Sequence, residues 1–267
     1  MISAAPRSAG GILTASTTPQ GSGVDAGAPI ICLSHGSRHP QADACVAEIA
    51  RVATALSGRP VYFAHLDFSP STLTNVAHIV AATGATHAVV VPLLFTDAFH
   101  MRHDVPSAIA EAADSTGLRL TLARGIGTGD DVADLLARHT RRHLASRRRS
   151  VLSSDAHVVL YHVGSSVPGA NDSVERLAAS LATRLQLQPD RVTAVPATGG
   201  HGGPGVVQQL QPDVVVPLFF SPATLLDRLH HYLENRMPQG ACMQVPHLGT
   251  AVAPLVIPRA EQAQLSQ

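Results

Sequence analysis

Lysine is absent from the 267 residues, so all nineteen Lys-or-Arg cations are arginine. The chain therefore has neither a phosphate-loop lysine nor a Schiff-base lysine, and an acidic ligand must be held by arginine forks, hydroxyls and backbone N–H groups. Nineteen Asp and Glu residues balance the arginines, and a chain with no net charge is poorly suited to nucleic acid. Cysteine is scarce: Cys32, Cys45 and Cys242 are odd in number and form no Cys-x-x-Cys pair. That excludes a disulfide framework and a zinc ribbon, and predicts a reducing, cytoplasmic setting. Long apolar runs are missing too. Ala88 to Leu94 and Val214 to Phe220 are each interrupted by a proline and fall far short of the roughly twenty residues needed to span a bilayer, so no membrane segment is expected.

What is present points to an α/β protein. Residues 1–28 are rich in Ala, Gly, Ser, Thr and Pro and read as a flexible tail whose Gly11-Ile12-Leu13 is too brief for a signal-peptide core. Strand-like runs at 30–34, 60–66, 87–94 and 118–124 then alternate with helical patterns near 41–57, 70–83, 103–115 and 129–145, the signature of a parallel sheet covered by helices.

The second half echoes the first. Ile31-Cys32-Leu33-Ser34-His35 resembles Val158-Val159-Leu160-Tyr161-His162, and Val89 to Phe95 resembles Val214 to Phe220. Two similar lobes, each a parallel sheet flanked by helices and related by internal repeat, are expected over 29–148 and 149–267. Their junction is expected between Ala145 and Asp155, beside the Arg147-Arg148-Arg149 triplet, which reads as a solvated helix end or linker. The echo is chemically unequal. Stepping from Pro217 as far as Pro92 lies from His100 reaches Leu225, and Val163 separates His162 from Gly164. A single active site is therefore expected in the first lobe.

Two histidines follow apolar runs there, His35 in Ser34-His35-Gly36-Ser37-Arg38 and His100 in His100-Met101-Arg102-His103-Asp104-Val105-Pro106. In an open α/β sheet the crevice outside the strand carboxyl ends binds ligands. Two neutral imidazoles facing it suit a divalent metal while leaving coordination positions open.

These two motifs, with Val91-Pro92-Leu93-Leu94-Phe95 between them, resemble those of the class II chelatases, which insert a divalent metal into sirohydrochlorin. The resemblance runs from about Ile30 to Arg142, with a weaker echo in the second lobe. It implies an interlobe cleft in which His35 and His100 bind the metal and take up protons, with sirohydrochlorin and Fe²⁺ or Co²⁺ as substrates and no resident cofactor. Iron, for sirohaem, is the expected metal, with cobalt, for cobalamin, as the alternative; a non-catalytic metal or tetrapyrrole carrier and a protoporphyrin ferrochelatase are the other readings. Because the macrocycle is rimmed with carboxylates, Arg38 and Arg102 are expected to meet it, beside a turn of Ser34, Gly36 and Ser37 whose backbone can approach the ring. Either arginine has surface charge as its alternative reading.

Asp67 stands where the family has an acidic residue after its second strand, with a shorter step to Pro70. It either steers a cation or takes a proton, or caps the helix starting near Pro70. Asp104 either orients His100 from one turn away or caps the helix ahead of Pro106. Gly125-Ile126-Gly127-Thr128 and His247-Leu248-Gly249-Thr250 read as tight strand-to-helix turns. Gly199 to Pro204, carrying His201, is either a lid or a plain loop. Fusion of two lobes favours a monomer.

Overall fold

The computed structural model describes residues 27–96, 103–147, 152–165, 169, 171–199 and 201–265. Two parallel four-stranded sheets form its framework. In the first, β1 (Ile30–Ser34), β2 (Val61–His65), β3 (His87–Pro92) and β4 (Arg119–Leu122) lie in the order β2-β1-β3-β4. In the second, β5 (Val158–His162), β6 (Val192–Pro196), β7 (Val214–Pro217) and β8 (Met243–Gln244) repeat it as β6-β5-β7-β8. The α/β class and the twofold repeat are as the sequence predicts.

Helices join the strands: α1 (Ala42–Ser57), α2 (Leu73–Ala82), α3 (Val105–Thr116), α4 (Asp130–Ser146), α5 (Asp172–Leu185), α6 (Pro204–Leu210), α7 (Thr224–Arg236) and α8 (Ala253–Leu265). The central strands β1, β3, β5 and β7 are largely apolar on both faces because both are covered. Along β1, Ile30 and Cys32 face the core between the sheets, while Ile31 and Leu33 face α2 and α3. Along β5, Val158 and Leu160 share that central core, and Val159 and Tyr161 pack outward with α6 and α7.

The lobes are knitted together by their helices. The last helix, α8, packs on α1, β3 and β4 of the first lobe, while α4 packs on α5 of the second. Arg259 of α8 is 2 % exposed. It donates to the carbonyls of Gly125 (3.2 Å) and Ile126 (2.7 Å) and pairs with Asp131 at 2.6 Å. The Gly125 to Gly127 segment is thus a tight turn, with the Gly127 N–H bonded to the Leu94 carbonyl and Arg259 bound to its own carbonyls. In the second lobe the N–H of Gly249 likewise meets the Phe220 carbonyl.

Of the expected tail, only Gly27 and Ala28 fall among the described residues; the Ala28 carbonyl accepts from Arg59 Nε at 3.0 Å. Arg148 and Arg149 of the arginine triplet lie outside them. Among the described residues no helix is long and apolar enough to cross a membrane. Cys32, Cys45 and Cys242 are free thiols.

Candidate active site

In each sheet the chain leaves the first strand for one neighbour and returns to the other, so the switch point lies between β1 and β3, and between β5 and β7. Ligand crevices form outside the strand carboxyl ends at such points. His35 follows β1 directly at the first of them. His100 and Arg102, which the sequence places after β3, lie outside the described residues. Phe95, after β3, stacks on Phe220, after β7, with centroids 3.9 Å apart and planes 9° from parallel. These are equivalent positions of the repeat, so the carboxyl edges of the two sheets meet at one junction.

The register of the two sheets corrects the repeat by one residue. Ile30 pairs with Val61 and Val89, and Val158 pairs with Val192 and Val214. Counting along the strands, His162 stands at Ser34's position and Val163 at His35's. Gly36 and Gly164 then coincide, with φ of 93° and 86°. The structural counterpart of His35 is an exposed valine, so matching His35 to His162 by residue type mispairs the lobes.

His162 is buried at the end of β5, and that burial pushes its imidazole down to about 4. Its folded pKa lies below the unfolded value near 6.5, so the unfolded chain binds the proton first and stability falls as pH drops from about 6.5 towards 4. At pH 5 the loss is about 2 kcal/mol. Urea unfolding of His162→Gln at pH 7 and pH 5 should show a smaller acid loss than wild type.

Around His35 the turn is fastened by backbone bonds to the loop that follows β2. The N–H of Asp67 donates to the His35 carbonyl (3.0 Å) and that of Leu66 to the Ser34 carbonyl (2.9 Å). A Cβ on Gly36 would lie 1.9 Å from the Asp67 carbonyl oxygen. The glycine is therefore required by the packing of this turn on the next loop, a tighter constraint than the approach to a ligand inferred from sequence. Ser34 also differs from expectation. Its buried hydroxyl lies 2.6 Å from His65 Nδ1 and accepts the Gly36 N–H at 3.2 Å, so it braces the turn from beneath. Ser37 Oγ accepts from the His39 N–H at 3.1 Å.

The Ser34–His65 contact continues outward. His65, 1 % exposed, presents Nε2 to Asp43 Oδ1 at 3.5 Å, and Ser69 Oγ donates to Asp43 Oδ2 at 2.6 Å. Burial holds the His65 pKa below its ordinary value, with Asp43 opposing. If Ser34 donates to Nδ1, the proton of neutral His65 is on Nε2, facing Asp43. Sequence reading missed His65, although its place at the end of β2, level with Ser34, is a countable signal.

On the exposed side, Arg38 lies over the Phe68 ring, 4.8 Å from its centroid, and Phe68 meets His35 edge-on at 6.1 Å. Asp67 is exposed and accepts from the Phe68 N–H at 2.7 Å. It does not cap the following helix, whose N-cap is Thr72, accepting from Asn75 N–H. Asp104 occupies the N-cap position of α3 but makes no side-chain capping bond, so capping accounts for neither carboxylate. Among the described residues of the glycine loop, Gly203 N–H bonds the Pro196 carbonyl at 2.7 Å and a Cβ on Gly202 would meet that oxygen at 2.1 Å. This part of the loop is fastened to β6, as a plain loop would be.

Known proteins resemble the chain in both sequence and fold. Residues 29–143 match the family model CbiX. A sirohydrochlorin ferrochelatase of Bacillus subtilis is 28% identical over 201 residues, 73% of this chain and 73% of that protein. A sirohydrochlorin cobaltochelatase of Sulfurisphaera tokodaii is 29% identical over 90 residues, 34% of this chain and 72% of that protein. Among solved structures, SirB from Bacillus subtilis with Fe³⁺ superposes with a TM-score of 0.72 at 22% identity, covering 88% of this chain and 94% of SirB.

Proposed function

We infer that this chain is a sirohydrochlorin chelatase of the class II, CbiX family, inserting a divalent metal into the macrocycle at the carboxyl edge of its first lobe. One observation carries the placement: the CbiX match covers the lobe that presents His35 at its switch point, where the second lobe has Val163.

Insertion exchanges two pyrrole N–H protons for one metal ion, so the site must hold the ion loosely and accept protons. His35, with His100 as its partner, is proposed for both tasks. A neutral imidazole ligates first-row metals and takes up protons near neutral pH. Few protein ligands leave room for the ring nitrogens to displace them. Arg38 and Arg102 are proposed to receive peripheral carboxylates, and Asp67, exposed on the loop bonded to the His35 turn, to draw the cation inward. Asp104 is proposed to support His100. Iron and cobalt both accept imidazole, and ferrochelatase and cobaltochelatase relatives flank this chain in sequence; we propose Fe²⁺ as the preferred ion, with no resident cofactor.

The same reading puts the protein in the cytoplasm as a monomer, supported by its free thiols and by the core that the two lobes already share. Anaerobic absorbance assays with Fe²⁺ and Co²⁺ in parallel test the reading. The carboxylate-rich sirohydrochlorin should be metallated in preference to a dicarboxylate porphyrin. Equal rates with the two rings would contradict the assigned substrate.

A further inference from the structure

Phe68 adopts a backbone conformation that its residue type resists. Its φ is 62°, and the two other non-glycine residues with positive φ among those described are Gln186 and Gln211. Both glutamines are helix C-caps in the left-handed region, a position that conformation serves. Phe68 caps nothing, since the next helix begins at Leu73 under Thr72. A bulky side chain at φ > 0 is a genuine outlier, and such strain gathers at functional sites where the surroundings enforce it.

The surroundings do enforce it. The Phe68 N–H is held by Asp67 Oδ1 at 2.7 Å, Asp67 N–H is held by the His35 carbonyl at 3.0 Å, and Gly36 is pressed against the Asp67 carbonyl. The loop is thereby locked to the turn that carries His35. The core does not require this ring, which is 45% exposed. It lies edge-on to His35 at 6.1 Å and under the Arg38 guanidinium at 4.8 Å. An exposed aromatic beside the proposed metal-handling imidazole, with a guanidinium held over its ring, combines an apolar surface for a conjugated ring with a donor fork for a carboxylate.

Building on the chelatase reading above, we propose that Phe68 is a specificity-determining residue, packing against the macrocycle and holding Arg38 over its own ring to receive a peripheral carboxylate. Phe68 holds the substrate and takes no part in proton or metal transfer. Its loss therefore weakens binding while leaving the rate at saturation nearly intact.

The chain contains no tryptophan, so Phe68→Trp installs a single tryptophan, excited selectively over the tyrosines, at the proposed contact. Titration of the full-length protein with metal-free sirohydrochlorin should quench this emission saturably. Leu56→Trp, at an exposed position on α1, serves as the control and should show only the unsaturable absorption of light by the ligand. In parallel, Phe68→Gly relieves the backbone strain, so its urea midpoint should equal or exceed that of wild type, while its dissociation constant and KM rise about tenfold. Phe68→Tyr should restore both constants. Wild-type affinity in Phe68→Gly, or a fall in its stability that accounts for weaker binding, would overturn the proposal. Failure of the wild-type protein itself to bind sirohydrochlorin, followed by absorbance, would instead overturn the chelatase reading.

Discussion

His35→Ala should lower the rate of metal insertion by about 10²- to 10⁴-fold, the range expected when a positioned proton acceptor is lost. The loss should appear in kcat, because the side chain proposed to hold the ion and take pyrrole protons acts on the reacting atoms. Folding should be nearly unaffected: His35 is only half-buried, and the turn around it is held by the Asp67 and Leu66 N–H groups and by Ser34 Oγ, none of which needs the imidazole. The matching change in the other lobe, Val163→Ala, removes no ligand and should leave the rate unchanged. Steady-state kinetics of both variants, with their urea midpoints, separate this account from one in which both lobes share the chemistry; equal losses would favour the latter.

The second large effect concerns stability. Arg259→Met keeps an apolar stem of similar length but removes the donors that satisfy the Gly125 and Ile126 carbonyls and Asp131. Breaking a buried ion pair by deleting one partner costs about 3–5 kcal/mol, because the remaining groups lose their compensation. Asp131 is partly exposed and water recovers some of that, so a loss of about 3 kcal/mol is expected, or roughly 6–12 °C in Tm for a chain of this size. Arg124→Ala removes a surface bond from Arg124 to Gln262 of the same helix and should move stability by less than about 0.5 kcal/mol. Calorimetry of the two variants tests whether α8 is fastened to the first lobe through Arg259. Equal, small shifts would show that apolar packing alone holds it.

Much of the scaffold is legible in the sequence because it rests on periodicity. Both sheets are buried on two faces, so β1, β3, β5 and β7 appear as continuous apolar runs, and the helices between them keep their amphipathic stripes. The repeat is legible for the same reason, but its phase is not: matching His35 to His162 satisfies residue type, whereas hydrogen-bond register aligns Gly36 with Gly164. Local backbone chemistry was harder to read. Thr72, next to the helix it caps, is less conspicuous than Asp67 ahead of Pro70, and nothing in the one-letter code signals that Phe68 has a positive φ. Arg259 escapes because its partners lie more than a hundred residues away and because Pro258, inside α8, reads as a helix breaker. Ser34 and Gly36 lie within the expected motif, yet their roles are set by His65 and by the Asp67 backbone, contacts that exist only once β1 and β2 are side by side.

Catalysis at a site in the first lobe is tested by the number of sirohydrochlorin molecules metallated per chain when protein is limiting and Fe²⁺ or Co²⁺ is in excess, followed anaerobically by absorbance. Many macrocycles converted per chain, at a rate well above the protein-free reaction, is the predicted result. Saturation at one macrocycle per chain without acceleration would identify a carrier and contradict the account.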